Sequence, residues 1–364
     1  MKTIFDGAYC TAPKEAAELY DQNGYGRIEK DGRLRLAPEE ALYLAARGKI
    51  ELKDYTFDTL LAECAKEPSF LRNFIVYRDI RERGYVITAA QSAEKNAEQS
   101  YRIFPRGQRP GKGTSKYLLR VLSERDIVDF SSIIRDAKKT ANMRKQFVLA
   151  VLDDEHEITY YEVRLPVLAA RECTDLPTGI TAKRTGIPAF VSGEITDVLQ
   201  KNWFGTMLDA SRLYLSPLET LRLLEQGKLT LDDGMSAEEY LSLAESGDAE
   251  FSVKYRLYCM FRELGYYPRS GYKYGHHFRV YTESTNHSEM LAQAVPAGTA
   301  SPMWAVSRSV RLAHSVKKRM LFVSIADNEL IPLEFARIKM ERINYGRRYQ
   351  PMVKHAEGKY RKTD

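Results

Sequence analysis

The chain has 364 residues, 44% of them hydrophobic and 29% charged, a composition that excludes a disordered or collagen-like protein and suggests about two to three globular domains. No apolar run approaches the roughly 20 residues of a membrane span, and Met1–Gly7 lacks the apolar core of a signal peptide, so a cytoplasmic protein with no membrane partner is expected. The formal charge of +6 is concentrated at one end: from Ala305 to Asp364 there are 14 Lys/Arg against 6 Asp/Glu, which suits a polyanionic ligand.

In chain order, the first clear signal is Leu36–Leu52. A proline near a helix start, a short amphipathic helix, a closing glycine and a strand follow one another. The pattern recurs at Leu215–Leu231, 179 residues later, with Pro38 over Pro217, Glu40 over Glu219 and Gly48 over Gly227. Gly26 and Arg33 fall on Gly205 and Arg212 at the same offset. The next stretch, Tyr77–Tyr85, matches Tyr258–Tyr266, and each predicts a helix ending before its glycine, Gly84 or Gly265. Tyr101–Phe104 then falls on Phe278–Tyr281, a strand pattern, and Gln146–Val151 on the strand-like Arg319–Ser324. The chain is therefore read as a tandem duplication of a two-part unit, in which a small α+β part precedes an α/β part. Thr174–Pro188 is the expected connector, and Gly107–Gly113 reads as a flexible loop without the spacing of a phosphate-cradling motif. Met303, Val306, Val310, Ala313 and Val316 form the buried stripe of a helix. If that helix persists, Arg311 and Lys318 point to one side of it. Asp153, Asp154, Glu155 and Glu157 form the densest acidic turn, which on its own reads as a solvated hairpin loop.

The chemistry lies between Gly271 and Lys318, where Tyr281, His287 and Lys318 occur with no acidic cluster beside them. A base, an acid and a fixed cation suffice for cleavage of RNA by its own 2′-hydroxyl. The first copy has Phe104, Thr114 and Lys145 at the corresponding positions, so it keeps the fold pattern and loses the acid and base. His276, His277 and His314 compete with His287 for the acid, and none is flanked by carboxylates at ligand spacing, so neither metal nor cofactor is expected. Cys10, Cys64, Cys173 and Cys259 are too far apart for a zinc site or disulfide framework and read as reduced thiols.

Three stretches together, Phe278-Arg-Val-Tyr281, His287-Ser288 and Val310–Lys318, resemble the archaeal tRNA-splicing endonucleases. The resemblance is to the form in which two tandem repeats share a chain and two chains make a homodimer. It implies an α/β (α+β) fold duplicated as a small α+β domain followed by a mixed-sheet, restriction-endonuclease-like domain. On that basis the expected domains are 1–68 and 69–166 for the degenerate repeat, 167–248 and 249–345 for the active one, and a basic tail over 346–364. The resemblance further implies Tyr281 as general base, His287 as general acid and Lys318 as stabiliser of the phosphorane, with Lys317 the alternative one residue away. Arg311 matches one arm of an arginine clamp on a bulged base; Arg337 lies in the region of the second, and Arg279 is a further RNA-contacting candidate. The implied substrate is precursor tRNA with a bulge-helix-bulge motif, cut without metal to a 2′,3′-cyclic phosphate and a 5′-hydroxyl. The acidic turn at Asp153, Asp154, Glu155 and Glu157 becomes a candidate dimer contact. The alternatives are a non-catalytic RNA-binding or assembly subunit, and a metal-dependent DNA nuclease on the same fold.

Overall fold

The computed structural model describes residues 1–89, 100–172, 175–282, 287–326 and 329–341. The expected basic tail over 346–364, Cys173 and residues 283–286 between Tyr281 and His287 lie outside the described residues. The described residues fall into two compact units, the first drawn from 1–89, 101–116 and 339–341, the second centred on Tyr117–Ile338.

The first unit opens with strands β1 (Lys2–Phe5) and β2 (Cys10–Ala12), helix α1 (Ala17–Asn23), strands β3 (Arg27–Ile28) and β4 (Leu34–Leu36), helix α2 (Pro38–Ala46) and strand β5 (Glu51–Leu52). The sheet order is β3-β4-β2-β1-β5. Helices α3 (Phe57–Cys64) and α4 (Phe70–Glu82) lead into an antiparallel hairpin of β6 (Val86–Ala89) and β7 (Ser100–Phe104). The glycine-rich loop after β7 is folded rather than open. Gln108 N–H donates to Pro105 O at 3.0 Å and Lys112 N–H to Arg109 O at 3.0 Å, because its glycines serve tight turns.

The second unit continues with β8 (Tyr117–Ser123), β9 (Ile127–Asp129), α5 (Phe130–Asn142), β10 (Gln146–Leu152) and β11 (Ile158–Arg164). Then comes a second copy of the opening fold: β12 (Ile180–Arg184), β13 (Ala189–Ser192), α6 (Ile195–Lys201), β14 (Thr206–Met207), β15 (Arg212–Leu215), α7 (Pro217–Glu225), β16 (Leu229–Leu231) and α8 (Ala237–Gly247). Its strand order, β14-β15-β13-β12-β16, repeats that of the first sheet. The expected connector Thr174–Pro188 thus contains a strand: Ile180 and Ala182 are buried in this domain's core, and the irregular stretch lies earlier, at 165–172. The chain closes with α9 (Phe251–Glu263), β17 (Tyr267–Ser270), β18 (Phe278–Tyr281), β19 (Met290–Pro296), β20 (Ala300–Pro302), α10 (Met303–Ser315), β21 (Arg319–Ile325) and β22 (Leu330–Ile338).

A buried glutamate organises both small domains. Glu219, at the third position of α7, accepts from Ser216 N–H at 2.8 Å, which caps the helix, and from Gly205 N–H at 2.9 Å. Glu40 does the same at α2 with Ala37 and Gly26, both at 2.9 Å. Gly26 and Gly205 sit at φ 63 and 70°, and a Cβ there would stand 2.4 Å from Arg35 O or 2.6 Å from Leu213 Cγ, so only glycine lets the backbone reach its glutamate. The residues aligned in the repeat are therefore those that hold the domain together.

In the second unit the large sheet runs β17-β18-β19-β21-β22-β11-β10-β8. β10 lies parallel to β8 and antiparallel to β11, and β21 lies parallel to β19 and antiparallel to β22. The two nuclease-like copies join where β11 and β22 pair, from Tyr160↔Ile338 to Arg164↔Glu334. One continuous core under this seam takes Ile133, Ile134 and Ala137 from α5 and Met303, Val306, Val310 and Ala313 from α10. That confirms the expected stripe. The opposite face of β18, β19 and β21 packs on Leu257, Tyr258 and Phe261 of α9.

Candidate active site

The register of four neighbouring strands collects the predicted residues at one end of the sheet. Tyr281 ends β18, and Val280 pairs with Met290 at the start of β19, so Tyr281 lies level with Glu289, two residues after His287. Met290 in turn pairs in parallel with Arg319, which sets Glu289 level with Lys318. On the far side of β21, Met320 pairs with Phe335 of β22; continuing by two residues brings Arg337 level with Lys318. Alternation along strands then puts Tyr281, Glu289, Lys318 and Arg337 on one face, the face that carries α10.

Hydrogen bonds tie this edge together. Lys318 Nζ donates to the carbonyl of Ser288, the residue after His287. Arg319 N–H donates to Glu289 O at 2.9 Å, Glu289 N–H to Val280 O at 3.0 Å, and the Thr282 hydroxyl to the Glu289 carboxylate. His287 is exposed, Lys318 half-buried and Tyr281 only 7% exposed. An ammonium has three donors, so a lysine that spends one on Ser288 keeps two for a phosphate.

Arg311 is exposed near the end of α10, but it does not share a helix with Lys318. The helix stops at Ser315; Lys317 takes φ 55°, and Lys318 N–H donates back to Ala313 O at 2.8 Å, a left-handed closure that satisfies the last carbonyls. The closure places the two lysines differently: Lys317 is exposed in the turn, and Lys318 reaches the His287–Ser288 loop. Arg337 is exposed on β22. Arg279 is half-buried with its guanidinium carbon 5.7 Å from the Tyr281 ring centroid.

The competing histidines fall elsewhere. His276 and His277 precede β18, at the end of the strand opposite Tyr281, and line a cleft with Lys254, Arg269 and Arg279. His277 Nδ1 accepts from Ala294 N–H at 3.2 Å, and its Nε2 stands 3.5 Å from Glu250. Burial pulls both imidazoles below the usual histidine range, with Glu250 opposing the effect at His277. His314 is exposed on α10. Among the described residues, no group of three or more His, Cys, Asp or Glu is placed to hold a metal.

One neighbour of Tyr281 escaped the sequence reading. The Trp203 ring lies 5.1 Å from the Tyr281 ring at 37°, and 5.0 Å from that of Tyr267 at 14°; Tyr267 is the cross-strand partner of Tyr281. Trp203 follows α6 at φ 61°. For a bulky side chain this left-handed conformation is an outlier that costs about 1–3 kcal/mol. The repeat contained the signal, because at the offset of 179 the counterpart of Trp203 is Gly24, at φ 64°.

Fold and site together define a duplicated mixed-sheet α/β protein of nuclease-like build, in which only the second copy brings a tyrosine, a histidine and a lysine to one sheet end. Family models bear on this class directly. The model described as "tRNA intron endonuclease, catalytic C-terminal domain" matches residues 70–160 and again 251–332, and "tRNA intron endonuclease, N-terminal domain" matches 1–61 and 187–241. The chain is 36% identical over 345 residues to a tRNA-splicing endonuclease of Methanococcoides burtonii, covering 90% of this chain and 96% of that one. Proteins of the same name from Methanosarcina barkeri and Methanosarcina acetivorans are 33% and 34% identical, each over 93% of this chain and 100% of their own length. The chain belongs to the archaeal tRNA-splicing endonuclease family, with both of the family's domains duplicated, and it is an enzyme with that family's endonuclease activity.

Proposed function

We propose that the protein excises introns from precursor tRNA at bulge-helix-bulge motifs by metal-free transesterification at the edge built from Tyr281, His287 and Lys318. Tyr281 takes the proton of the 2′-hydroxyl, whose oxygen attacks the adjacent phosphorus. His287 protonates the departing 5′-oxygen, and Lys318 stabilises the charge of the pentacoordinate phosphorane between them. The products are a 2′,3′-cyclic phosphate and a 5′-hydroxyl. The observation that carries this reading is the common strand end of the three residues, with Lys318 bound to the carbonyl next to His287. Arg311, Arg337 and Arg279 contact the RNA, whose shape is read through phosphates and splayed bases.

Two cuts per intron call for two sites at fixed separation, which a homodimer supplies. Its contact would include the hairpin loop between β10 and β11, where Asp153 caps the turn and Asp154, Glu155 and Glu157 remain exposed. The domains of this reading are 1–68, 69–166, 167–248 and 249–345 with a basic tail over 346–364. The cytoplasm, where Cys10, Cys64 and Cys259 stay reduced, is the compartment.

The test incubates purified protein in excess EDTA with an end-labelled precursor tRNA, beside a His287→Ala variant. Cyclic-phosphate ends from the wild type and a large rate loss in the variant are expected. Binding without cutting by the wild type would instead indicate an assembly subunit, and equal cutting by both would remove His287 from the mechanism.

A further inference from the structure

We infer that Trp203 is a positioning residue for this reaction: carried by the small domain of the second repeat, it fixes the Tyr281 ring against the end of β18. This rests on Tyr281 acting as the base.

The support for Trp203 is the same in both copies, and only the supported residue differs. Trp203 closes α6, with Trp203 N–H donating to Gln200 O at 3.0 Å and Phe204 N–H to Leu199 O at 2.8 Å. Arg262 of α9 holds the turn from behind, donating to Asn202 O at 2.9 Å with its guanidinium carbon 4.1 Å from the Phe204 ring. In the first copy Gly24 closes α1, Tyr25 N–H donates to Leu19 O at 3.2 Å, and Arg81 donates to Asn23 O at 2.9 Å, 3.9 Å from the Tyr25 ring. The turn and its arginine clamp are thus common scaffold.

What the turn presents is specific to each copy. At Gly24 a Cβ would meet Arg109, Pro110 and Val86, each at 3.0 Å, so the first copy has no room for a side chain. In the second copy the same slot holds the largest side chain, in a conformation that suits glycine. The residues around it change together: Val86 corresponds to Tyr267 and Phe104 to Tyr281. Helix closure alone would favour glycine at position 203. The strained tryptophan therefore serves the contacts it makes, which are with Tyr267, Tyr281 and, 5.9 Å from its ring, the Arg269 guanidinium carbon. With the Arg262 clamp on one side and the β17–β18 pair on the other, the tryptophan restricts where the phenol can swing. A base held within reach of the 2′-hydroxyl needs such restriction, since a misplacement of 1 Å can cost about 100-fold in rate.

The experiment compares Trp203→Asn, Trp203→Gly and Trp203→Phe with Tyr281→Phe and the Trp203→Asn/Tyr281→Phe double variant. Asparagine and glycine keep the left-handed turn and remove the ring; phenylalanine restores one. Single-turnover cleavage at saturating enzyme, RNA affinity and the melting temperature are read for each. Expected is a loss of about 30- to 100-fold in rate for Trp203→Asn and Trp203→Gly, with Kd within about threefold of wild type and melting unchanged or raised. Trp203→Phe recovers most of the rate, and the double variant is no slower than Tyr281→Phe, as for residues acting through one another. Undiminished rates in the ringless variants beside a slow Tyr281→Phe would overturn the inference and leave the tyrosine's role intact. Loss of affinity at an unchanged saturated rate would also overturn it, by making Trp203 an RNA contact. A fully active Tyr281→Phe would remove both the base assignment and this inference.

Discussion

Replacing Lys318 by alanine removes the cation proposed to face the phosphorane. Two unit charges 4 Å apart interact by about 4 kcal/mol at an effective dielectric of 20, which is about three decades in rate. Lys318 is half-buried and partly screened, so a loss of about 100- to 1,000-fold in the saturated cleavage rate is expected. The folded state loses the hydrogen bond to Ser288 O, worth about 1 kcal/mol, so the variant stays folded. The control is Lys317→Gly, which removes the neighbouring charge and suits the left-handed φ of 55°; its rate is expected within about threefold of wild type, since that exposed charge lies in high dielectric. Single-turnover cleavage of end-labelled precursor tRNA with enzyme in excess separates the chemical step from binding. A larger loss at Lys317 than at Lys318, or a Lys318→Ala rate near wild type, would refute the reasoning from strand register.

Glu219→Ala strips partners from Gly205, Ser216 and Arg269, whose guanidinium stands 3.1 Å from the carboxylate, and is expected to cost about 3–5 kcal/mol in urea unfolding; a cost below about 1 kcal/mol would contradict the anchoring role. His276 and His277 are held below the usual range by burial, so the unfolded chain binds more protons. Their stabilising effect is complete above about pH 6.5 and is lost as pH falls through the lowered values. The melting temperature should therefore drop on going from neutral to mildly acid pH, and less steeply in His276→Gln; identical slopes would rule out this source. Reversing Asp154, Glu155 and Glu157 to lysine, while keeping Asp153 for the turn, should shift the protein toward monomer in sedimentation, and an unchanged dimer would exclude the hairpin as a contact.

The sequence made legible whatever repeats locally. Helices ending before Gly84 and Gly265, and strands at Tyr101–Phe104 and Phe278–Tyr281, follow from short-range pattern and are observed. Features set by partners distant in sequence were hidden. The pairing of β11 with β22 joins residues about 170 apart along the chain, and neither strand carries a mark of its partner. The end of α10 was left open by the sequence because Lys317 and Arg144, at φ 55 and 54°, close their helices without the glycine that usually signals closure. Trp203 was missed for a related reason: as a lone aromatic it looks like core, and only its register with Gly24 shows it filling a glycine's place.

That register also explains how one scaffold tolerates an active and an inactive copy. The retained positions are those whose loss would leave buried polar groups unpaired: Glu40 and Glu219 on their glycine amides, Arg81 and Arg262 on their asparagine carbonyls. The positions that differ, Phe104 against Tyr281 and Gly24 against Trp203, satisfy no buried donor or acceptor of the common turn, so they can change without unfolding the domain. Exchange at those positions should therefore be cheap in stability in one direction only. Trp203→Gly relieves a left-handed tryptophan, whereas Gly24→Trp drives a ring into Arg109, Pro110 and Val86, an overpacking that costs about 1–3 kcal/mol or more. Thermal melts of the two single variants check this directly: the first is expected at or above the wild-type midpoint and the second several degrees below it, and equal destabilisation of both would mean that the tryptophan is part of the scaffold.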